Sequence, residues 1–439
     1  MKRIGIGATE KLHAASAPAH AAWPAFAVVF ALMLMDYIDR QVVVSMFPFL
    51  RQQWALSDTE LGMLASIVPI TVAVGTVPLS FLVDRWGRVN SMALMALVWS
   101  CATIACAFAD DYGQLLVARG VVGLGEAAYG TAGAALLASL FARRVRSTVL
   151  GTFLSAALIG SVLGVVLGGV VSQRYGWQAA FGLVGVPGVA LAVMLKLFVR
   201  DYPSVALPTP RGSNRSPRTA ARAVWEALWT PRSLRLICLG GSLQLAVVAS
   251  IYSWLPSYFN RMQGLAPDRA AVAASIVVLV SGAGAIAWSI VADRLGRRAP
   301  RARPLVPAVA SLLCAGVMSI AFGALGPGAL QYALLLAGAA FMTGSIGPAP
   351  AAVMDVVHPS VRATAAAVFA LAQNLLGLAL GPLIAGLLSD AYGLAFAMAV
   401  LPSIGIPASL AFFLAARRYP SDAAAVIDLL PSSRPRAAT

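Results

Sequence analysis

Five charged residues stand where a chain this apolar has little room for them. Asp36, Asp39 and Arg40 fall in the apolar run 23–47, and Arg119 and Glu126 in the run 115–141. A charge at the centre of a membrane-spanning helix costs about 2.5–3.5 kcal/mol on insertion scales, so such residues face a cavity or a partner. At a rise of about 1.5 Å per residue, Asp39 and Arg40 lie roughly 12–14 Å inside the far end of their run, and Arg119 and Glu126 roughly 6 and 16 Å into theirs. Runs crossing in opposite senses bring these four into one layer. Arg119 and Glu126 are seven positions apart in the sequence, hence on one helical face. Desolvation favours a neutral carboxylate and a nearby Arg an ionised one. Asp39 and Glu126 are therefore candidates for proton exchange, with Asp36, one turn away, a third carboxylate or a partner for Arg40. Arg40 and Arg119 are candidate anion ligands through their planar forks of donors. The plainer alternative is that Asp39–Arg40 and Arg119–Glu126 neutralise each other and pin two helices together.

The elements that must position these charges follow from composition. The 439 residues are 59% hydrophobic and only 11% charged, with a mean hydropathy of +0.82, far above a soluble domain. About 20 apolar residues cross a bilayer as a helix, and twelve such runs are visible: 23–47, 61–83, 89–108, 115–141, 149–171, 179–198, 234–258, 270–291, 305–322, 330–357, 363–388 and 396–415. The expected class is an all-α integral membrane protein of 12 transmembrane helices. A net charge of +15 would suggest nucleic acid in a soluble protein, but its placement points elsewhere. With the N-terminus inside, the outer loops carry Arg51, Arg174, Arg261 and Arg269, while most of the 32 Lys and Arg, including Arg143, Arg144, Arg146, Arg417 and Arg418, lie on the inner side. The positive-inside rule then puts both termini in the cytosol. Lys196, near the end of its run, is expected to snorkel to the inner head groups. Cys101, Cys106, Cys238 and Cys314 fall in apolar runs and form no loop disulfide framework.

The chain repeats itself. Ser80-Phe-Leu-Val-Asp84-Arg85-Trp-Gly87-Arg88 recurs as Ser289-Ile-Val-Ala-Asp293-Arg294-Leu-Gly296-Arg297. Later in each half, Gly160, Gly164 and Gly169 match Gly377, Gly381 and Gly386, and Tyr175-Gly176 matches Tyr392-Gly393. Each repeat spans six runs, an even number, so the halves have the same orientation about an axis along the membrane normal. The expected organisation is a tail 1–22, a six-helix half 23–198, a Pro/Ser/Arg-rich linker 199–233, a second half 234–415 and a tail 416–439. Within the linker, Ala220 to Trp229 could lie on the inner membrane surface as an amphipathic helix.

These repeated Asp-Arg-x-Gly-Arg segments resemble the loop motif between helices 2 and 3 of the major facilitator superfamily, with Ser80 and Ser289 in place of its leading Gly. Within it, the chain is similar to the bacterial spinster-like transporters, through Asp39-Arg40-Gln41, LSDTELGML from Leu56, Gly123-Leu-Gly125-Glu126-Ala127, WLPSYF from Trp254 and VRATAAAVFALAQNLLGLALGP from Val361. Organic anion:cation symporters also resemble it through Tyr37-Ile38-Asp39-Arg40. Val165 stands where many exporters of the superfamily carry Pro, although Gly381-Pro382 is present. The resemblance implies the major facilitator fold and alternating access between two halves in a bacterial inner membrane, by a monomer. It also implies coupling to protons and a small-molecule or lipid substrate, such as a lysophospholipid or sphingolipid-like anion. Helices 1 and 4 then line a cavity with Arg40 and Arg119, joined by Tyr252, Trp254, Gln373 and Asn374. Asp84, Arg85, Gly87, Arg88, Asp293, Arg294, Gly296 and Arg297 would form a cytosolic gate that also meets lipid phosphates. Asp355 reads as a structural or gate charge near His358 and Arg362.

An enzyme needs a nucleophile, a base and an electrophile grouped together. His13, His20 and His358 are scattered, no metal-ligand spacing appears, and no Gly-rich run continues into a P-loop Lys. No cofactor is expected.

Overall fold

The computed structural model describes residues 19–127, 129–199 and 229–428, every regular element of which is helical. We number the rods in chain order: α1 Ala19–Trp54, α2 Asp58–Trp86, α3 Arg88–Cys106, α4 Tyr112–Glu126 continued by Tyr129–Leu140, α5 Arg143–Tyr175 and α6 Trp177–Phe198. The second set is α7 Arg232–Gln263, α8 Pro267–Arg298, α9 Ala302–Gly323 and α10 Ala329–Met342 continued by Pro348–Asp355. It closes with α11 Arg362–Ala372, running through Gln373–Ala379 into Leu380–Tyr392, and α12 Leu394–Val400, running through Leu401–Ile404 into Gly405–Asp428. Among the described residues, nine helices are long and apolar enough to cross a membrane. Their outer faces show large apolar side chains such as Val186, Ile286 and Leu279, each more than half exposed. Such faces suit lipid, where the hydrogen-bonded helical backbone satisfies its own polar groups.

Three rods depart from single straight spans. α10 breaks between Met342 and Pro348, and α12 passes through a 3-10 turn at Leu401–Ile404. In α11 the backbone widens to a π-helix over Gln373–Ala379, a form found frequently at functional sites. α12 continues to Asp428, beyond the apolar run that ends at 415. Most of the linker, including Ala220 to Leu228 of the expected amphipathic helix, lies outside the described residues.

Two compact units form, one from Met1–Phe49 and Ile70–Val205, the other from Leu50–Pro69 and Ala206–Thr439. The turn joining α1 to α2 thus packs with the second half of the chain. In the first unit α5 lies against α1 through small residues at every fourth position. A Cβ on Gly160, Gly164 or Gly168 would come 2.8, 2.6 and 2.6 Å from the carbonyl oxygens of Leu34, Ile38 and Val42. Here Gly168, rather than the neighbouring Gly169 of the sequence repeat, makes the third approach. The second unit repeats the device on α7, with Gly377 and Gly381 meeting the carbonyls of Ser242 and Ala246 at 3.1 and 2.5 Å. Close backbone approach through small residues is how helices associate where no hydrophobic driving force separates them from lipid.

Candidate functional site

All five intramembrane charges of α1 and α4 come together in the first unit. Arg40 and Glu126 pair across the two helices, Nη2 to Oε2 at 2.7 Å. Arg119 Nη1 donates to Asp39 Oδ2 at 2.7 Å. The pairing therefore runs between the two helices, and among the described residues neither Asp39–Arg40 nor Arg119–Glu126 pairs within its own helix. Adjacent Asp39 and Arg40 point to different azimuths, and Arg119 and Glu126, though on one face, lie about 10 Å apart along it, so each charge meets its partner on the facing helix. Arg40 also donates Nε–H to Asp36 Oδ1 at 3.1 Å, one turn back on α1, and lies over the Tyr37 ring at 5.5 Å.

The two crossed pairs differ in character. Asp39 and Arg119 are sealed, with side chains 0% and 1% exposed. Asp39 Oδ1 also accepts from Thr103 Oγ1 at 3.0 Å, and Arg119 lies 6.0 Å from the Phe181 ring centroid, so α1, α3, α4 and α6 all meet at this pair. Arg40, by contrast, keeps 21% of its side chain exposed. Its partner Glu126 is buried, and neither carboxylate oxygen receives a directed hydrogen bond among the described residues, although Arg40 sits within ion-pair distance.

Local sequence explains how Glu126 is held there. Gly125 faces α3, where a Cβ would come 2.7 Å from the Trp99 backbone nitrogen. Further along the same rod, the buried Tyr129 hydroxyl donates to the Val29 carbonyl of α1 at 3.1 Å. The Gly-x-Gly-Glu segment thus brings the carboxylate against α3 and α1.

The residues expected on the second half lie in the second unit. Tyr252 shares a hydrogen bond with the Ser281 hydroxyl. Trp254 is fully buried and donates its indole N–H to the Pro382 carbonyl at 3.0 Å. Gln373 opens the π-helix, and Asn374 donates to the Ala370 carbonyl at 2.9 Å. Of the repeated loop motif, the side chains of Asp84 and Arg85 lie outside the described residues. Gly87 takes φ 86°, a left-handed value that glycine adopts freely and that lets α3 begin at Arg88. Arg88 donates to the Ala135 carbonyl at 3.4 Å. Asp293, Arg294 and Arg297 are exposed along the end of α8, and a Cβ on Gly296 would touch the Arg303 side chain at 3.0 Å. Asp355 is paired with Arg303 and receives the Tyr419 hydroxyl.

One cluster was not foreseen. Asp58, at the start of α2, accepts from Arg51 and from Arg261 of α7, each at 2.8 Å, and from the Ser389 hydroxyl of α11. Asp390 accepts from the backbone N–H groups of Asp58 and Thr59, both at 2.8 Å, and from the Thr59 hydroxyl at 2.6 Å. Ser57 and Glu60 complete a reciprocal cap, Ser57 N to Glu60 Oε2 at 2.8 Å and Glu60 N to Ser57 Oγ at 3.2 Å. The signal was available in Ser57-Asp58-Thr59-Glu60, a capping box ahead of an apolar run. The partners from α7 and α11, some 200 and 330 positions later, were not.

Among known proteins, the family model described as Major Facilitator Superfamily matches residues 29–378. The chain belongs to the major facilitator superfamily. Its members are membrane transporters, and this chain is a transporter with a spinster-like sequence. It is 29% identical to human Protein spinster homolog 1 over 383 residues, covering 83% of this chain and 72% of that protein. A Probable 4-methylmuconolactone transporter of Cupriavidus pinatubonensis is 27% identical over 272 residues, covering 60% of this chain and 61% of that one. In fold, it is similar to the crystal structure of a bacterial homolog to the human lysosomal transporter Spinster, in inward-facing and unoccupied conformation. That likeness has a TM-score of 0.82 at 20% identity and covers 92% of this chain and 99% of the other. The two-half major facilitator fold of twelve helices is thus established for this chain.

Proposed function

We propose that this major facilitator protein is a proton-coupled transporter working by alternating access, with Arg40, Glu126 and Asp36 as its coupling site. The observation that carries the reading is the charge count of the buried cluster: three carboxylates, Asp36, Asp39 and Glu126, against two guanidinium groups, Arg40 and Arg119. Buried charge is tolerated when paired. With Asp39 committed to Arg119, two carboxylates share Arg40, and a single proton balances the cluster. Glu126, buried and with no directed hydrogen bond to either oxygen among the described residues, is the carboxylate to which we assign this proton. A protonated Glu126 leaves Arg40 with Asp36 and free to accept an anionic group from its exposed side. Arg119 and Asp39 hold α1, α3 and α4 in register while this exchange proceeds.

The substrate we infer is an amphiphilic anion of lysophospholipid or sphingolipid type. Arg40 suits a phosphate or carboxylate through its planar fork, and the similarity to proteins named spinster supports a lipid-like solute. The second reading, an organic anion:proton symporter for a carboxylate or sugar acid, is favoured by the relative named a 4-methylmuconolactone transporter. We infer a monomer in a bacterial inner membrane, with both termini cytosolic on the distribution of Arg and Lys along the chain.

Flux into proteoliposomes decides among these readings. Lysophosphatidic or lysophosphatidylglycerol substrates, offered beside gluconate and an aromatic carboxylate, should be the ones that compete for saturable uptake. That uptake should fall when the pH gradient is collapsed. Competition by the small acids alone moves the substrate to the second reading, and flux indifferent to the pH gradient removes the coupling.

A further inference from the structure

We propose that the face formed by α3 and α6 is a binding site for one anionic membrane phospholipid, with an acyl chain in the groove between the helices and the phosphate at Lys196. The groove holds about 300 Å³ and is walled by Ala93, Leu94 and Leu97 of α3 and by Ala192, Val193 and Leu197 of α6. Its walls are carbon, and Leu94, Leu97, Val193 and Leu197 are all exposed on the surface of the unit. One end alone is polar, where Asn90, two residues into α3, faces Lys196 in the last turn of α6. An apolar furrow closed at one end by a cation has the polarity of a single lipid, tail and charged head.

The details at that end favour an anion over a neutral head group. Lys196 Nζ donates to Asn90 Oδ1, and the Asn90 amide is oriented by its own Nδ2 donating to the Trp86 carbonyl at 3.1 Å. Asn90 therefore fixes where the ammonium sits without neutralising it. Among the described residues, no carboxylate pairs with Lys196, in contrast to Arg40, Arg119, Arg261 and Arg303, which each hold an acid. A cation left uncompensated at the mouth of an apolar groove attracts a phosphate, and its remaining N–H donors are available to one. Next to the groove, α3 and α6 are held close by Gly185 and Gly188, where a Cβ would come 3.0 Å from the Ser100 carbonyl and 2.3 Å from its hydroxyl. The site lies within one unit and shares no residue with the Arg40–Glu126 pair.

Native mass spectrometry of the full-length protein, released from mixed micelles of equal phosphatidylglycerol and phosphatidylcholine, reads the site directly. The wild type should retain phosphatidylglycerol over phosphatidylcholine by about fivefold, the size expected for one Lys at an anionic head group. Lys196→Gln should bring that ratio close to one, and Lys196→Arg should keep it. Asn90→Asp, almost isosteric, should also abolish the preference by placing a carboxylate on Lys196. Leu97→Trp should lower retention of both lipids by filling the groove. A preference unchanged in Lys196→Gln and Asn90→Asp would overturn the proposal, as would retention of inorganic phosphate equal to that of the lipid. Transport driven by a pH gradient should persist in Lys196→Gln, which separates this site from the coupling site.

Discussion

Arg40 and Arg119 carry the same charge on facing helices, yet 21% of one side chain and 1% of the other is open. On that difference we propose an architectural role for Arg119 and a substrate-facing one for Arg40. Asp39→Asn leaves Arg119 buried without its anion, and breaking such a pair costs about 3–5 kcal/mol. It should lower the unfolding temperature in detergent markedly, while Glu126→Gln, which leaves Arg40 part-exposed and still paired with Asp36, should change it less. Comparable losses in the two variants would contradict the division. For Arg40→Lys the ammonium keeps the charge and loses the planar fork, so the KM for an anionic substrate should rise about tenfold with the protein still folded. Fluxes indistinguishable from wild type would exclude Arg40 as an anion ligand. The presence of the charges in α1 and α4 was legible from residue type and depth, because a charge in an apolar run is conspicuous. Their crossed pairing was not, because partner choice depends on the azimuth at which two helices meet.

Helix contacts set that azimuth. A methyl group on Gly164 would meet the Ile38 carbonyl at 2.6 Å, one residue from Asp39, and no side-chain rotation relieves a clash with backbone. Gly164→Ala should therefore displace α5 from α1, lowering stability by about 1–3 kcal/mol, the usual cost of overpacking, with a parallel loss of transport. Gly151, with nothing near its Cβ position, provides the control on the same helix. The glycines themselves were visible as a repeat, whereas which of Gly168 and Gly169 touches α1 depends on helix phase. The break in α10 was hidden inside an uninterrupted apolar run, since neither hydropathy nor length registers a local loss of helix. Two halves that share one architecture also differ in chemistry at matched places. In the second unit, α7 reaches the α10 break through Gln244, which donates to the Met342 carbonyl at 2.8 Å, where the first unit has Arg40 on Glu126.

At the scale of the molecule, the turn between α1 and α2 leaves its own half and packs with the second unit. Ala55 takes φ 52°, a conformation uncommon outside glycine, and the chain then enters α2 through its Ser57–Glu60 cap. Arg261, 17% exposed, binds Asp58 from α7, while Arg51 on the same carboxylate is 46% exposed. Exposed ion pairs contribute 1 kcal/mol or less, and truncating one partner of a buried pair about 3–5. Arg261→Ala should therefore accelerate hydrogen exchange across residues 56–62 far more than Arg51→Ala. Equal acceleration would mean that the Asp58 cluster does not hold the turn.

The proposal as a whole rests on one proton carried by the cluster around Arg40. Proteoliposomes containing wild type or Glu126→Gln, loaded with substrate and assayed with and without an imposed pH gradient, test it most directly. The wild type should accumulate substrate against its gradient only when the pH gradient is present. Glu126→Gln should exchange substrate across the membrane yet accumulate none. Gradient-driven accumulation that survives the loss of the Glu126 carboxylate would contradict the account.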